Sequence, residues 1–215
     1  MVAKFLRNIL LLSLFISPTW AASSIDEGID YTILPQAQPT ETGHKIEVLE
    51  VFMYSCPHCF HLEPSLEKWL KTKPDSVQFR RMPAVFGPKV EPHARAFYAA
   101  ELLGVNDRFD KALFDALHVQ KKPIWKEDDL VNLAKSVGID AEEFRKAYDS
   151  FFVAMKVRRA KQMQERYGVD GVPTIIVNGK YRTSPSQTGS RSRMFETLNY
   201  LIDLESGKIP KSDDS

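Results

Sequence analysis

Three stretches of the chain carry the hydrophobic patterns of β-strands. Residues 46–54 form a nearly continuous apolar run, which is typical of a central strand buried on both faces. Residues 77–82 alternate between apolar and polar positions, and this alternation places Arg81 on the inward face. Residues 31–34 predict a short edge strand. The pattern therefore indicates a sheet with residues 46–54 at its centre.

A hairpin and a closing helix are predicted near the end of the chain. Asn178-Gly179 stands between two strand-like runs, and this dipeptide favours the tight turn of a two-residue hairpin loop. Pro173 would begin the first of these strands, where a residue without an N–H is tolerated. An amphipathic pattern predicts the closing helix from residue 189 or 190 to residue 205.

Helical spacing dominates the rest of the chain. Residues 56–72 predict a helix whose core-facing positions are Cys59, Leu62, Leu66 and Trp69. Between residues 91 and 167 no strand pattern interrupts the predicted helices at 92–103, 108–120, 128–137, 141–151 and 153–167. The aromatic residues of this block are expected in the core, namely Phe97, Phe109, Phe114, Phe144, Phe151 and Phe152. His93 and His118 are expected at the surface or at the edge of the core.

The first 21 residues have the parts of a secretory signal peptide. Lys4 and Arg7 precede an apolar run at 9–16, and Thr19 and Ala21 favour cleavage after residue 21. The alternative, an uncleaved membrane anchor, would need a longer apolar run. Export would place the remaining chain in an oxidising compartment. Its formal charge would change from +1 to −1, and we expect no nucleic-acid partner for a chain so close to neutrality.

The only two cysteines, Cys56 and Cys59, lie at the junction between the predicted central strand and the helix that follows it. Two thiols one helical turn apart can close a small disulfide, and this placement is typical of a redox pair. Cys56 would lie at the helix start, where free N–H groups and the helix dipole stabilise a thiolate. Pro57 suits the first helical turn, and His58 can add a charge or a donor. We therefore predict that Cys56 is the nucleophile and that Cys59 resolves the mixed disulfide.

Two other roles for the cysteines stay open. A structural disulfide is possible, although closing so short a loop stabilises a protein little. Zinc binding is conceivable because His58 and His61 lie beside the cysteines. Neighbours within one helical turn point in different directions, however, and no second cysteine pair could complete a tetrahedral site. We expect no metal and no cofactor other than the redox-active disulfide Cys56–Cys59 itself.

Glu50 is a carboxyl group inside the predicted central strand, six residues before Cys56. Burial disfavours the ionised form of such a group unless it is paired. Glu50 is therefore either a strand-end acid that faces solvent or a buried proton acceptor that serves Cys59. Arg81 is the candidate partner of Glu50 because it occupies the inward face of the neighbouring strand. The alternative is that the stem of Arg81 snorkels and its charged head reaches water. Glu63 is expected to be a surface charge.

The order of these elements resembles a known family. A strand, a Cys-x-x-Cys helix, a second strand, a helical block, a Val-Pro strand, a hairpin and a final helix resemble the DsbA family, an α/β thioredoxin fold with an inserted all-helical domain. The Cys56-Pro57-His58-Cys59 motif has the dipeptide usual in that family, and Gly171-Val172-Pro173 is similar to its cis-proline loop. The resemblance implies the following division: a thioredoxin-like domain at 22–86 and 168–208, a helical insertion at 87–167 and a polar tail at 209–215.

The same resemblance implies a site and a function. The Val172–Pro173 peptide would be cis and would face the cysteines, with Val172, Pro173 and His58 contacting the substrate and Glu50 among the catalytic residues. The protein would be a thiol-disulfide oxidoreductase of the periplasm that donates its disulfide to unfolded exported proteins with free thiols. A quinone-linked membrane oxidase of the DsbB type would reoxidise it. The alternatives are a disulfide isomerase or reductase of the same fold, and a non-catalytic peptide- or metal-binding module.

Overall fold

The computed structural model describes residues 24–210, so the predicted signal peptide and residues 211–215 of the predicted tail lie outside the described residues. The strands are β1 (Thr32–Ile33), β2 (Ile46–Phe52), β3 (Val77–Pro83), β4 (Thr174–Val177) and β5 (Tyr181–Thr183). They form one sheet in the order β1-β5-β4-β2-β3. β2 pairs in parallel with β3 and antiparallel with β4, and all of its residues are buried, as the apolar run predicted.

Eight helices lie within residues 24–210: α1 (Pro57–Thr72), α2 (Glu91–Leu102), α3 (Asn106–His118), α4 (Glu127–Ser136), α5 (Ala141–Tyr148), α6 (Phe151–Arg166), α7 (Pro185–Thr188) and α8 (Arg191–Glu205). Leu62, Leu66 and Trp69 of α1 and the buried apolar residues of α8 share one hydrophobic cluster with Val48 of β2 and Ile175 of β4. A second cluster joins Leu49 and Val51 of β2 to α2 through α6. The sheet is therefore covered by α1 and α8 through one set of side chains and by the helical block through another. None of these helices combines the length and the apolar character needed to cross a bilayer.

The hairpin predicted at Asn178-Gly179 is confirmed. Both residues have positive φ, 50° and 64°, as the central positions of a type I′ turn require, and the N–H of Lys180 donates to the Val177 carbonyl oxygen over 3.0 Å. At Gly179 a side chain is also excluded by packing, because an added Cβ would overlap the carbonyl oxygen of Gln38. The strand begins at Thr174, one residue after Pro173.

The structure corrects three predictions made from hydrophobic pattern alone. Phe151 and Phe152, expected in the core, are 76% and 44% exposed because they lie in the first turn of α6, ahead of the residues that pack inward. His93, expected at the surface or the edge of the core, is only 3% exposed, and its ring bonds the Ile124 carbonyl oxygen over 2.7 Å. The helix predicted over 141–151 ends at Tyr148, and Ser150 caps the next helix.

Candidate active site

The two cysteines lie at the start of α1, directly after the turn that follows β2. The N–H of Cys56 donates to the carbonyl oxygen of Met53 over 3.1 Å, which closes this turn. Cys56 is the N-cap of α1 and Pro57 follows it in the first turn, as predicted. Both thiols are free in the structure, and Cys59 is buried whereas Cys56 is partly exposed. Of the two sulfurs, Cys56 is therefore the one that an external thiol can reach.

The surroundings of the two thiols lower one pKa and raise the other. A hydrogen bond from the Cys59 side chain lowers the pKa of Cys56 to about 6, and the N–H groups of Cys59 and His58 and the charge of His58 add to this shift against the opposing effect of burial. The pKa of Cys59 is raised far above its usual range by the same hydrogen bond, by burial and by the charge of Glu50. Negative charge at neutral pH therefore resides on Cys56.

The loop that precedes β4 lies against the exposed sulfur. The Val172–Pro173 peptide bond is cis, as the resemblance implied. The Cys56 thiol donates a hydrogen bond to the Val172 carbonyl oxygen over 3.4 Å, so this loop faces the cysteines. Pro57 and His58 are exposed in the first turn of α1. These residues border the sulfur that a polypeptide could approach.

Glu50 is a fully buried carboxyl group that pairs with Arg81. Arg81 Nε donates to Glu50 Oε2 over 2.9 Å, and the other oxygen of Glu50, Oε1, has no hydrogen-bond partner among residues 24–210. Burial raises the pKa of Glu50 to about 7, although the charge of Arg81 acts in the opposite direction. The predicted Arg81–Glu50 pair is confirmed, and the solvent-facing alternative for Glu50 is wrong.

Glu63 belongs to the same cluster, which corrects its interpretation as a surface charge. Arg81 Nη2 donates to Glu63 Oε1 over 2.5 Å, and the guanidinium lies 5.4 Å from the centre of the Phe52 ring. The guanidinium of Arg81 has donors for more than one carboxylate, so the inward-facing Arg81 can bond Glu63 of α1 as well as Glu50 of β2. One arginine therefore divides its charge between acids on β2 and α1.

The cysteines do not form part of a metal-binding cluster in the described chain. No group of three or more His, Cys, Asp or Glu side chains in residues 24–210 is arranged to hold a metal ion. The zinc alternative therefore gains no support from the geometry around Cys56 and His58.

Comparisons with known proteins agree on one family. A sequence model of the DSBA-like thioredoxin domain matches residues 81–201. The thiol:disulfide interchange protein DsbA of Burkholderia cepacia is 34% identical over 93% of this chain and 96% of its own length. DsbA of Azotobacter vinelandii is 38% identical over 90% of this chain and 92% of its own length. The chain belongs to the DsbA-like thioredoxin family. The crystal structure of Pseudomonas aeruginosa DsbA matches with a TM-score of 0.81 at 34% identity, over 85% of this chain and 95% of that one.

Membership of the DsbA family establishes both the fold of this protein and the class of reaction that it catalyses. The predicted α/β thioredoxin fold with a helical insertion is confirmed, and the protein is a thiol-disulfide oxidoreductase that acts by disulfide exchange. The match to the family model begins at Arg81, after the cysteine helix. The alignment with the Burkholderia cepacia DsbA spans 93% of the chain and therefore extends over that helix as well.

Sequence reasoning missed the part that α3 plays in this DsbA-family protein. The Tyr54 hydroxyl donates to Asp110 Oδ1, whose carboxyl also lies 3.7 Å from Arg81 Nη1 and has its pKa raised by burial to about 6. His118, expected at the surface or the edge of the core, is half-buried and bonds the Tyr54 carbonyl oxygen through Nε2 over 2.6 Å. The one available signal was a carboxyl on the apolar face of an amphipathic helix.

Proposed function

We propose that the protein oxidises thiols of newly exported polypeptides by donating the Cys56–Cys59 disulfide. The observation that carries this proposal is the opposite perturbation of the two thiols, with a pKa of about 6 at Cys56 and a strongly raised pKa at Cys59. A stabilised thiolate favours the reduced pair over the disulfide, and this preference makes the disulfide an oxidant.

In the first step, a substrate thiolate attacks the sulfur of Cys56, the less buried of the pair. The Cys56–Cys59 bond breaks while a substrate–Cys56 disulfide forms, and Cys59 leaves with the electron pair. Because the pKa of Cys59 is raised, its sulfur takes up a proton. Glu50, whose pKa is raised to about 7, is the buried acid that can supply this proton.

In the second step, another substrate thiolate attacks the substrate sulfur of the mixed disulfide. Cys56 leaves as a thiolate, and its lowered pKa makes it a good leaving group. The substrate gains one disulfide and gives up two electrons and two thiol protons. The protein retains the two electrons as its reduced cysteine pair.

Substrate binding is assigned to the loop that carries Val172 and Pro173, together with His58 in the first turn of α1. The Val172 carbonyl oxygen lies 3.4 Å from the reactive sulfur, so a substrate backbone bound alongside would place its own sulfur close to Cys56. Hydrogen bonds between main chains do not depend on the identity of the side chains, so this mode of binding suits a broad range of polypeptides.

Turnover needs a separate oxidant, since each cycle leaves the cysteine pair reduced. We assign this role to a quinone-linked membrane oxidase of the DsbB type, and we assign the protein to the periplasm. The apolar run and basic residues of the predicted signal peptide support export. In reoxidation the Cys56 thiolate attacks a disulfide of the oxidase, forms a mixed disulfide and releases one oxidase thiolate. Cys59 then attacks the Cys56 sulfur, which reforms the Cys56–Cys59 bond and releases the second oxidase thiolate, and Glu50 accepts the Cys59 proton.

The direction of exchange can be tested by equilibrating the protein with glutathione buffers and measuring the fraction of free cysteine pairs. We expect a potential more oxidising than about −200 mV, as an activated Cys56 requires. A potential near −270 mV, about that of thioredoxin, would identify a reductase instead. Persistence of activity in Cys56→Ser would contradict any role for the cysteine pair.

The role of Glu50 can be tested through the attack of Cys59 on a glutathione–Cys56 disulfide. Glu50→Gln should slow this step by about tenfold or more, since it removes the buried proton acceptor without changing the size of the side chain. Glu67→Gln is the matched control, because Glu67 is an exposed acid on α1, the helix that carries Cys59. Equal rates in the wild-type protein and the Glu50 variant would show that the proton takes another route.

A further inference from the structure

His118 contacts the chain on both sides of the redox motif. Its Nε2 lies 2.6 Å from the carbonyl oxygen of Tyr54, two residues before Cys56. Its ring stacks on Phe60, the residue after Cys59, with the ring centres 4.8 Å apart and the planes 14° from parallel. One imidazole from the helical insertion therefore touches both ends of the segment that holds the two sulfurs.

The hydrogen bond to Tyr54 supports the turn that leads into the motif. The turn itself uses the carbonyl oxygen of Met53, which accepts from the N–H of Cys56. The carbonyl of Tyr54 is directed at His118 instead, and Tyr54 is fully buried. A carbonyl oxygen can only accept a hydrogen bond, and a buried one needs a donor group as its partner. Nε2 of His118 must therefore carry the proton in this contact.

The stacked ring supports the first turn of α1. The N–H of Phe60 donates to the Cys56 carbonyl oxygen over 3.1 Å and so closes that turn. Phe114 of α3 also packs on Phe60, with a distance of 6.2 Å between ring centres. The ring of Phe60 is thus held from the insertion side by α3, while its backbone fixes the turn.

We propose that His118 is a positioning residue for the disulfide-exchange reaction, because its bond to Tyr54 sets the orientation of the backbone N–H groups that stabilise the Cys56 thiolate. The proposal rests on the proposed function, in which that thiolate is the leaving group. Those N–H groups belong to His58 and Cys59, in the first turn of α1. Release of the preceding turn would let them move away from the sulfur.

Two substitutions separate the hydrogen bond from the stacking contact. His118→Gln keeps a side-chain N–H near the position of Nε2 and removes the ring, whereas His118→Phe keeps the ring and removes the donor. The same two substitutions at His44, which is exposed, provide the matched controls. The measurements are the Cys56 pKa, from thiolate absorbance, and the redox potential, from glutathione equilibria.

We expect His118→Phe to raise the Cys56 pKa by about half a unit and to make the potential more negative by at most about 15 mV. His118→Gln and both His44 variants should stay near the wild-type values. The proposal is wrong if His118→Phe lowers stability but moves neither quantity, or if His118→Gln shifts both as far as His118→Phe. The wild-type Cys56 pKa, measured in the same series, tests the proposed function separately from the role of His118.

A measurement on the wild-type protein covers the case in which His118→Phe does not fold. Nitrogen-15 spectra of the imidazole distinguish the two neutral tautomers. We expect His118 to be protonated at Nε2, with slow exchange of that proton with solvent. A neutral ring protonated at Nδ1 alone would exclude the bond to Tyr54 and overturn the proposal.

Discussion

The lowered pKa of Cys56 predicts that the reduced protein gains stability relative to the oxidised protein as the pH rises. The pKa falls from 9.0 to about 6 on folding, and only the reduced protein has this titrating thiol. A group whose pKa is depressed in the folded state contributes stability that is complete above the unfolded pKa and is lost as the pH falls through the folded pKa. The window for this effect therefore lies between about pH 6 and pH 9.

The magnitude follows from the same two values. Between pH 5 and pH 8 the thiolate should add about 2.6 kcal/mol to the stability of the reduced form. Cys56 is partly exposed, and solvent screening reduces such a value by roughly half, to about 1.3 kcal/mol. Loop closure by the disulfide adds a separate term to the stability of the oxidised form. That term does not depend on pH, so it cancels when the difference is compared at two pH values.

Two other groups near the cysteines have raised pKa values. Cys59 has a raised pKa, so its contribution is present below its unfolded pKa of 9.0 and changes little up to about pH 8. Glu50 also has a raised pKa, so its contribution to stability is lost as the pH rises from its unfolded pKa of 4.5 to about 7. Glu50 is present in both redox forms, however, and its effect should cancel in their difference. A Glu50→Gln background tests that cancellation directly.

The assay is urea unfolding of both redox forms at about pH 5, 6, 7 and 8, with the reduced Cys56→Ser variant as a control. The stability of the reduced form minus that of the oxidised form should rise steadily across this series. Reduced Cys56→Ser should lack the rise that the reduced wild-type protein has. A difference that is flat within about 0.5 kcal/mol, or that falls with pH, would refute the activated thiolate.

Two further predictions concern stability alone. Asp110→Asn should stabilise the protein by about 2–3 kcal/mol at pH 8 and by little at pH 4, because the raised pKa of about 6 means that ionisation of Asp110 opposes folding. The amide oxygen of the asparagine can still accept the hydrogen bond from Tyr54. Urea unfolding at both pH values measures the change, and destabilisation at pH 8 would contradict it. Gly179→Ala should destabilise the protein by about 3 kcal/mol or more, since the added Cβ would overlap the Gln38 carbonyl. Gly207 has a similar φ of 74° but no atom within 4 Å of an added Cβ, so Gly207→Ala should cost only about 1 kcal/mol. Equal losses of stability in thermal unfolding would show that the Gln38 contact is unimportant.

The features that the sequence predicts well are those encoded by neighbouring residues. The Cys56–Cys59 spacing and the Asn178-Gly179 turn each depend on a few adjacent positions, and both are found where they were expected. Pairing of Glu50 with Arg81 could also be predicted, because strand alternation fixes which side chains share a face.

The features that were missed depend on contacts between distant parts of the chain. Glu63 meets Arg81 across 18 positions, Tyr54 meets Asp110 across 56, and His118 meets the Tyr54 carbonyl across 64. Glu63 and His118 look like ordinary surface residues in their own helices, and Asp110 differs from them only by lying on the apolar face of α3. Their partners become visible only once the packing of α3 and α1 against the sheet is known.

The two sulfurs differ first because of the hydrogen bond between them, and separate parts of the fold add to this difference. The first turn of α1 supplies the N–H groups that favour charge on Cys56, while β2 places Glu50 where its charge disfavours a thiolate on Cys59. The α3 helix then contacts the same segment through Asp110 and His118. Since all three elements meet at this loop, we expect a substitution in the insertion to change the chemistry of the cysteines without contacting either sulfur. The insertion would then belong to the redox site as well as cover the sheet.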